Sequence, residues 1–249
     1  MPANNDRPRD RNVPPRNVVR DSRSSNRPKA FSWILGLIVL VGIAALGYVA
    51  SKPKSRPAQS VRDIADTTNA GPPQGYLIGK VDAPVKISEY ADFECPSCGG
   101  WATVTEPDVR SRIINAGLAN LTYYDFPLNQ HRNTLAASNA AACADEQGKF
   151  WPMHTQLFDH QSEWSALRDA SGRFRGYAQQ VGLDVGKYDG GMKSAKFAGR
   201  IQASLDEGTR LGVTGTPTFL IGGRLYANAA STSDSIRAIV LSLLPKPKP

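Results

Sequence analysis

Cysteine is scarce in this chain, with three in 249 residues. Two of them lie together in Cys95-Pro96-Ser97-Cys98 and only Cys143 is left over. That excludes a core held by a structural disulfide framework unless the framework consumes the pair. The fold must stand on apolar burial, for which the roughly 170 residues of 76–245 are enough. Histidine is equally sparse, and His131, His154 and His160 lack metal-ligand spacing. With no second paired-cysteine motif, neither a metal nor an organic cofactor is expected. Net basic charge is missing from residues 57–249, which carry nineteen side chains of each sign. The whole excess of +8 lies in residues 1–56, with eleven basic and three acidic side chains. Nucleic-acid binding thereby loses its main support. No internal repeat is evident.

What is present first is a long apolar run. Phe31 to Ala50 is twenty residues without a charge. As a helix rising about 1.5 Å per residue it would match the roughly 30 Å core of a bilayer. Trp33 and Tyr48 stand near its ends, where interfacial aromatics belong. The sequence therefore predicts a disordered basic tail over 1–30, a transmembrane helix over 31–50 and a Pro-rich linker over 51–75. A cleavable signal peptide is the competing reading, with Ala45-Leu46-Gly47 as a small-residue cleavage site. Its apolar core would be unusually long, so an uncleaved anchor is preferred. Six basic residues in 11–30 against four in 51–70 place the N-terminus on the cytoplasmic side.

Chemistry concentrates in Cys95-Pro96-Ser97-Cys98, directly after a strand-like run. Two thiols at this spacing can close a disulfide ring and reopen it without moving the fold. Pro96 suits the first turn of a helix, with Cys95 as its cap. Unpaired backbone N–H groups and the positive end of the helix dipole then favour the Cys95 thiolate, the species that attacks disulfides. Cys98, one turn further in, is expected to be more buried and to act as the resolving thiol. Glu94 could oppose thiolate formation, but strand alternation points it away. Cys143, in an Ala-rich helix, reads as a small apolar core residue.

Coarse periodicity gives an α/β plan. Val85 to Phe93 and Leu118 to Phe126 read as strands. Glu106 to Ala116 reads as a helix capped by Thr105, with Pro107 in its first turn and Gly117 as its stop. Helical stretches follow over Leu135 to Gln147, from Phe150, around Phe174 to Val181, and from Phe197 to Leu211. A short hairpin, Thr218 to Ile221 and Arg224 to Tyr226 around Gly222-Gly223, leads to a last helix carrying Ile236, Ile239, Val240, Leu243 and Leu244. Alternation puts Glu89 on the same strand face as Val85, Ile87, Ala91 and Phe93, where an unpaired carboxylate is costly. The bland alternative is an edge-strand glutamate that reaches solvent.

Four segments in order carry a resemblance: Asp82-Ala83-Pro84-Val85, Asp92-Phe93-Glu94-Cys95-Pro96-Ser97-Cys98, Glu146-Gln147-Gly148-Lys149-Phe150-Trp151 and Gly212-Val213-Thr214-Gly215-Thr216-Pro217-Thr218-Phe219. They resemble the DsbA-like thiol:disulfide oxidoreductases of the thioredoxin superfamily over about residues 75–245. The resemblance implies a thioredoxin-like fold over 76–245 with a helical subdomain inserted at about 134–211, behind the N-terminal transmembrane helix. It implies a redox-active Cys95–Cys98 disulfide, Glu89 as proton relay for Cys98, and Thr216-Pro217 as a cis-proline loop that offers backbone groups to an extended substrate. Where other members place a histidine in the dipeptide, Ser97 offers only a hydroxyl.

The expected function is a membrane-tethered oxidoreductase that forms disulfides in reduced or unfolded secreted proteins outside the cytoplasm. A membrane quinone-linked thiol reoxidase is the implied redox partner. Isomerase or reductase chemistry with the same pair is one alternative. An anchored binding module with a static CPSC disulfide is another.

Overall fold

The structure, a computed structural model, describes residues 33–34, 36–44, 72–227 and 232–245. The chain divides into two units, Met1–Ser55 and Arg56–Pro249. In the first, residues 33–34 and 36–44 are helical, and the rest of the expected 31–50 span lies outside the described residues. Among the described residues no helix is long and apolar enough to cross a membrane. The expected tail 1–30 and most of the linker, 51–71, also lie outside them.

The second unit is built on a five-stranded sheet in the order β1-β3-β2-β4-β5. Its strands are β1 (Tyr76–Ile78), β2 (Val85–Ala91), β3 (Ala119–Asp125), β4 (Thr218–Ile221) and β5 (Arg224–Ala227). β2 is central, parallel to β3 and antiparallel to β4. That parallel pairing needs a crossover, and the helical run from Pro96 to Ile114, α1, supplies it. Between β3 and β4 the chain inserts α2 (Thr134–Asp145), α3 (Phe150–Asp159), α4 (Gln161–Trp164), α5 (Ser171–Gln180), α6 (Val185–Lys193) and α7 (Ala198–Arg210). α8 (Ser233–Leu243) closes the fold.

Strand alternation sorts β2 into two faces. Val85 and Ile87 pack with Trp101, Val109 and Ile113 of α1 and with Ile236 and Val240 of α8. Ala91, on the same side, packs with Phe93, Cys98 and the helical insertion. Tyr90 points the other way, towards Phe126 and Val213. In the insertion, every alanine of α2 except Ala136 is fully buried, because small side chains let helices approach closely. A Cβ on Gly191 of α6 would lie 2.6 Å from the Cys143 sulfur, so that contact requires glycine. Burial pushes the Cys143 thiol up to about 11, which keeps it inert as a core residue.

Three features depart from the sequence reading. The helix expected to begin at Glu106 begins at Pro96, so Thr105 is no cap and Pro107 sits in its interior. Wide turns accommodate this: the Glu106 N–H reaches back five residues to the Trp101 carbonyl, just ahead of the proline that cannot donate. β1 is three residues long and α6 holds three glycines in nine residues. Neither carries a periodic apolar signal, and both are fixed by tertiary contacts.

Candidate active site

Asp92, Phe93 and Glu94 lead from β2 into α1, whose first turn starts at Cys95 as cap and Pro96 as first helical residue. Cys95 and Cys98 are both free thiols. Cys98 is completely buried, while Cys95 is 7% exposed beside the exposed Pro96 and Ser97. The Thr216–Pro217 peptide is cis, and it brings the Thr216 carbonyl oxygen to 3.5 Å from Cys95 Sγ. Segments 121 residues apart thus meet at one sulfur.

The two thiols are driven apart in acidity. Cys95 is drawn down to about 5, first by the hydrogen bond from the Cys98 thiol, then, against burial, by Thr216 and the backbone N–H groups of Cys98 and Ser97. The sulfur makes no strict capping hydrogen bond, so those N–H groups act on it through their charge. Cys98 is pushed well above the ordinary range, chiefly by burial and then by its bond to Cys95. Near neutral pH the site therefore holds one thiolate and one thiol.

A clamp that the sequence reading missed holds this loop. Asp92 is fully buried and accepts four hydrogen bonds. Glu94 N–H (2.7 Å) and the Thr134 hydroxyl (2.6 Å) meet Oδ1, while Leu128 N–H (2.7 Å) and His131 Nδ1 (2.8 Å) meet Oδ2. Gln161 donates to the carbonyls of Phe93 (2.7 Å) and Cys95 (2.9 Å). Glu94 turns away from the sulfurs and accepts from the Asn133 N–H at 2.5 Å. The Asp92 contact raises the pKa of His131, which favours the protonated ring in the neighbourhood of Cys95 although the dipeptide itself carries no histidine. Asp92 and Glu94 lay in a quoted motif; the other three partners of Asp92 follow 36–42 residues later, at no fixed spacing.

Glu89 is buried, 1% exposed, in the central strand, so the solvent-reaching alternative is excluded. Its two oxygens have no hydrogen-bond partner. Its pKa is raised well above the carboxylate range by burial and then by Glu106, with Arg110 opposing. On the sheet, Glu89 lies between Tyr123 of β3 and Phe219 of β4. The structure thus joins Cys95, Cys98 and Thr216 directly, with Pro217 following Thr216 through the cis peptide, and places Glu89 in the central strand that leads to Cys95. Among the described residues no group of three His, Cys, Asp or Glu could hold a metal ion.

Comparison with known proteins places this arrangement. The family model described as Thioredoxin matches residues 72–240. A Na(+)/H(+) antiporter NhaA 3 from Salinispora tropica is 35% identical over 172 residues, which cover 69% of this chain and 25% of that protein. The chain spans about a quarter of the length of the antiporter relatives it matches. A probable disulfide bond formation protein D from Bacillus anthracis is 24% identical over 208 residues, 82% of this chain and 91% of that one. Among solved structures, BdbD from Bacillus subtilis has the same fold, with a TM-score of 0.63 at 20% identity over 70% of this chain and 96% of that chain.

Proposed function

The chain belongs to the thioredoxin family, and on that premise we propose that it is a membrane-anchored thiol:disulfide oxidoreductase. It forms disulfides in reduced or unfolded secreted proteins outside the cytoplasm. The observation that carries this reading is the split between the two sulfurs, Cys95 drawn down to about 5 and Cys98 raised. The uncharged run 31–50 behind a basic tail supports the anchor.

The oxidised enzyme carries the Cys95–Cys98 bond. A substrate thiolate attacks Cys95 Sγ; the enzyme S–S bond breaks, and Cys98 leaves with the electron pair and takes up a proton. The substrate's second thiolate then attacks its own sulfur in the mixed disulfide. Cys95 departs as a stable thiolate and the substrate keeps the new disulfide. Two electrons remain on the enzyme, to be removed by a membrane quinone-linked thiol reoxidase. Stabilising the Cys95 thiolate stabilises the reduced enzyme, which makes the disulfide form the stronger oxidant. Thr216-Pro217 flanks the sulfur where an extended substrate strand would add, and Glu89 serves the Cys98 proton.

Equilibration of the pair against glutathione tests the direction. A potential well above the glutathione pool supports the oxidase; one well below it supports a reductase. A Cys98→Ala variant should trap substrates on Cys95 as mixed disulfides. Absence of any trapped species, together with a disulfide resistant to mild dithiothreitol, would return the chain to a static binding module.

A further inference from the structure

One side chain of the helical insertion grips the backbone at Cys95. A glutamine amide nitrogen carries two N–H donors. Those of Gln161 meet the Phe93 carbonyl at 2.7 Å and the Cys95 carbonyl at 2.9 Å. The Cys95–Pro96 peptide unit contains no N–H, so its carbonyl oxygen is its sole hydrogen-bonding group. That oxygen accepts from the Gly99 N–H at 3.0 Å and from Gln161. The first bond belongs to any helix start; the second comes from outside the helix. Together they hold Cys95 at φ −72° and ψ 122°, the extended conformation of a cap. In that conformation the sulfur lies 3.5 Å from the Thr216 carbonyl oxygen.

Both ends of this strut are prepared. Gln161 opens α4, whose Trp164 is fully buried. Trp164 donates from Nε1 to the Leu157 carbonyl at 2.8 Å and meets Phe174 edge-on, ring centroids 5.0 Å apart. Asn133 donates to the carbonyls of Trp164 (3.4 Å) and Leu167 (2.9 Å), and its own N–H is bound by Glu94. The root of Gln161 is therefore anchored, as a positioning group requires. At the other end α1 makes room. A Cβ on Gly99 would lie 2.6 Å from Gln161 Oε1 and 3.1 Å from Nε2. Gly99 sits inside the first turns of α1 and is buried, so the glycine serves the amide rather than the helix.

We propose that Gln161 is a positioning residue for the exchange reaction: it fixes the Cys95–Pro96 peptide so that, once the disulfide has opened, Cys95 Sγ stays beside Thr216 and the first turn of α1. The inference rests on the exchange activity read above. Its effect differs between the two redox states. In the oxidised chain the bond to Cys98 holds the sulfur whatever the carbonyl does. In the reduced chain that bond is gone, and the thiolate keeps its place at the helix start only while Cys95 keeps its cap conformation. Gln161 therefore stabilises the reduced form selectively, and with it the oxidising power of the disulfide. Its amide is uncharged, so it acts through the backbone of Cys95 and adds no titrating group.

The test follows thiolate absorbance of the reduced full-length chain against pH, and equilibrates the same chain with glutathione. Gln161→Met keeps the length of the side chain and removes both donors. It should weaken the acid constant of Cys95 about tenfold, the worth of one net hydrogen bond. The disulfide should become about tenfold harder for glutathione to reduce. Gly99→Ala removes no polar group but displaces the Gln161 amide, so it should move both readings in the same direction. In a Gln161→Ala background the added methyl meets no amide, and Gly99→Ala should then change neither reading. A merely structural strut would lower the stability of both redox forms alike and leave the pH midpoint and the glutathione constant in place. That result overturns the proposal, and so does a Gly99→Ala shift of equal size with and without Gln161. Should Gln161→Met fail to fold, Gly99→Ala alone decides: a midpoint unmoved from that of the unaltered chain removes the role of Gln161. If the unaltered chain does not exchange with glutathione at all, the oxidoreductase reading falls and Gln161 with it.

Discussion

Asp92 and Glu89 lie three residues apart at the end of one strand, both buried and both acidic, yet their surroundings are opposite. Asp92 accepts four hydrogen bonds from three segments of chain, and Glu89 accepts none. A carboxylate with four donors is held in place, and here it ties the loop before Cys95 to residues 128–134. An unsatisfied one avoids its charge by holding a proton, and that proton is available for transfer. The same side-chain chemistry thus serves architecture at one position and proton exchange at the next turn of the pleat.

The sharpest way to break this contrast is Asp92→Ala. It strands four donors and frees the loop, so the chain should lose about 3–5 kcal/mol in urea unfolding. Thiolate absorbance should show Cys95 moving back towards an ordinary thiol. Glu89→Leu should act in the opposite sense. Removing an unpartnered buried acid should stabilise the chain by about 1–2 kcal/mol while slowing the Cys98 step. Equal losses of stability from the two substitutions would dissolve the distinction.

How much of this was legible beforehand follows from the range of each interaction. Cys95 and Pro96 as cap and first helical residue are local chemistry, read directly from spacing. Glu89 was readable as buried because alternation along β2 is a period of two. The β4–β5 hairpin announced itself by Gly222-Gly223, whose φ values of 58° and 81° a two-residue turn demands. By contrast, Gln161 grips the Cys95 carbonyl from 66 residues away and His154 meets Glu106 only after α3 docks on α1. No periodicity announces such partners. Pro107 misled for a local reason, since proline marks a first helical turn unless a wide turn precedes it.

A smaller effect is the dependence of stability on pH, where the acids and the thiol have opposite signs. Glu106 is raised to about 7 and Glu89 is raised well above the ordinary carboxylate value, both chiefly by burial. The Glu106 contribution is whole below about 4.5 and is lost as pH rises through about 7; that of Glu89 is lost in the same direction. Cys95 is lowered, so its contribution to the reduced chain is whole above about 9 and is lost as pH falls through about 5. The oxidised chain has no such thiol. The difference in unfolding free energy between reduced and oxidised chains should therefore climb from pH 5 to pH 9. In both forms Glu89→Gln should lessen the loss seen on approaching pH 7. A flat difference would mean that Cys95 titrates alike in folded and unfolded chains.

The least effect belongs to His131, whose Nδ1 meets Asp92 at 2.8 Å. Asp92 keeps three other donors in its absence, so His131→Gln should cost only about 1 kcal/mol, the worth of one hydrogen bond to a charged group at a partly exposed site. Its signature is in the pH profile. A histidine raised by a carboxylate contributes fully below its ordinary value of 6.5, and the contribution fades as pH climbs past its raised value in the fold. His131→Gln should therefore destabilise the chain at pH 6 and leave it almost unchanged at pH 9. It should also raise the Cys95 midpoint slightly, because a positive charge near the sulfur is lost. A loss of stability that is equal at both pH values would make His131 a neutral spacer, and Asp92 would then be an anchor held by backbone and hydroxyl donors alone.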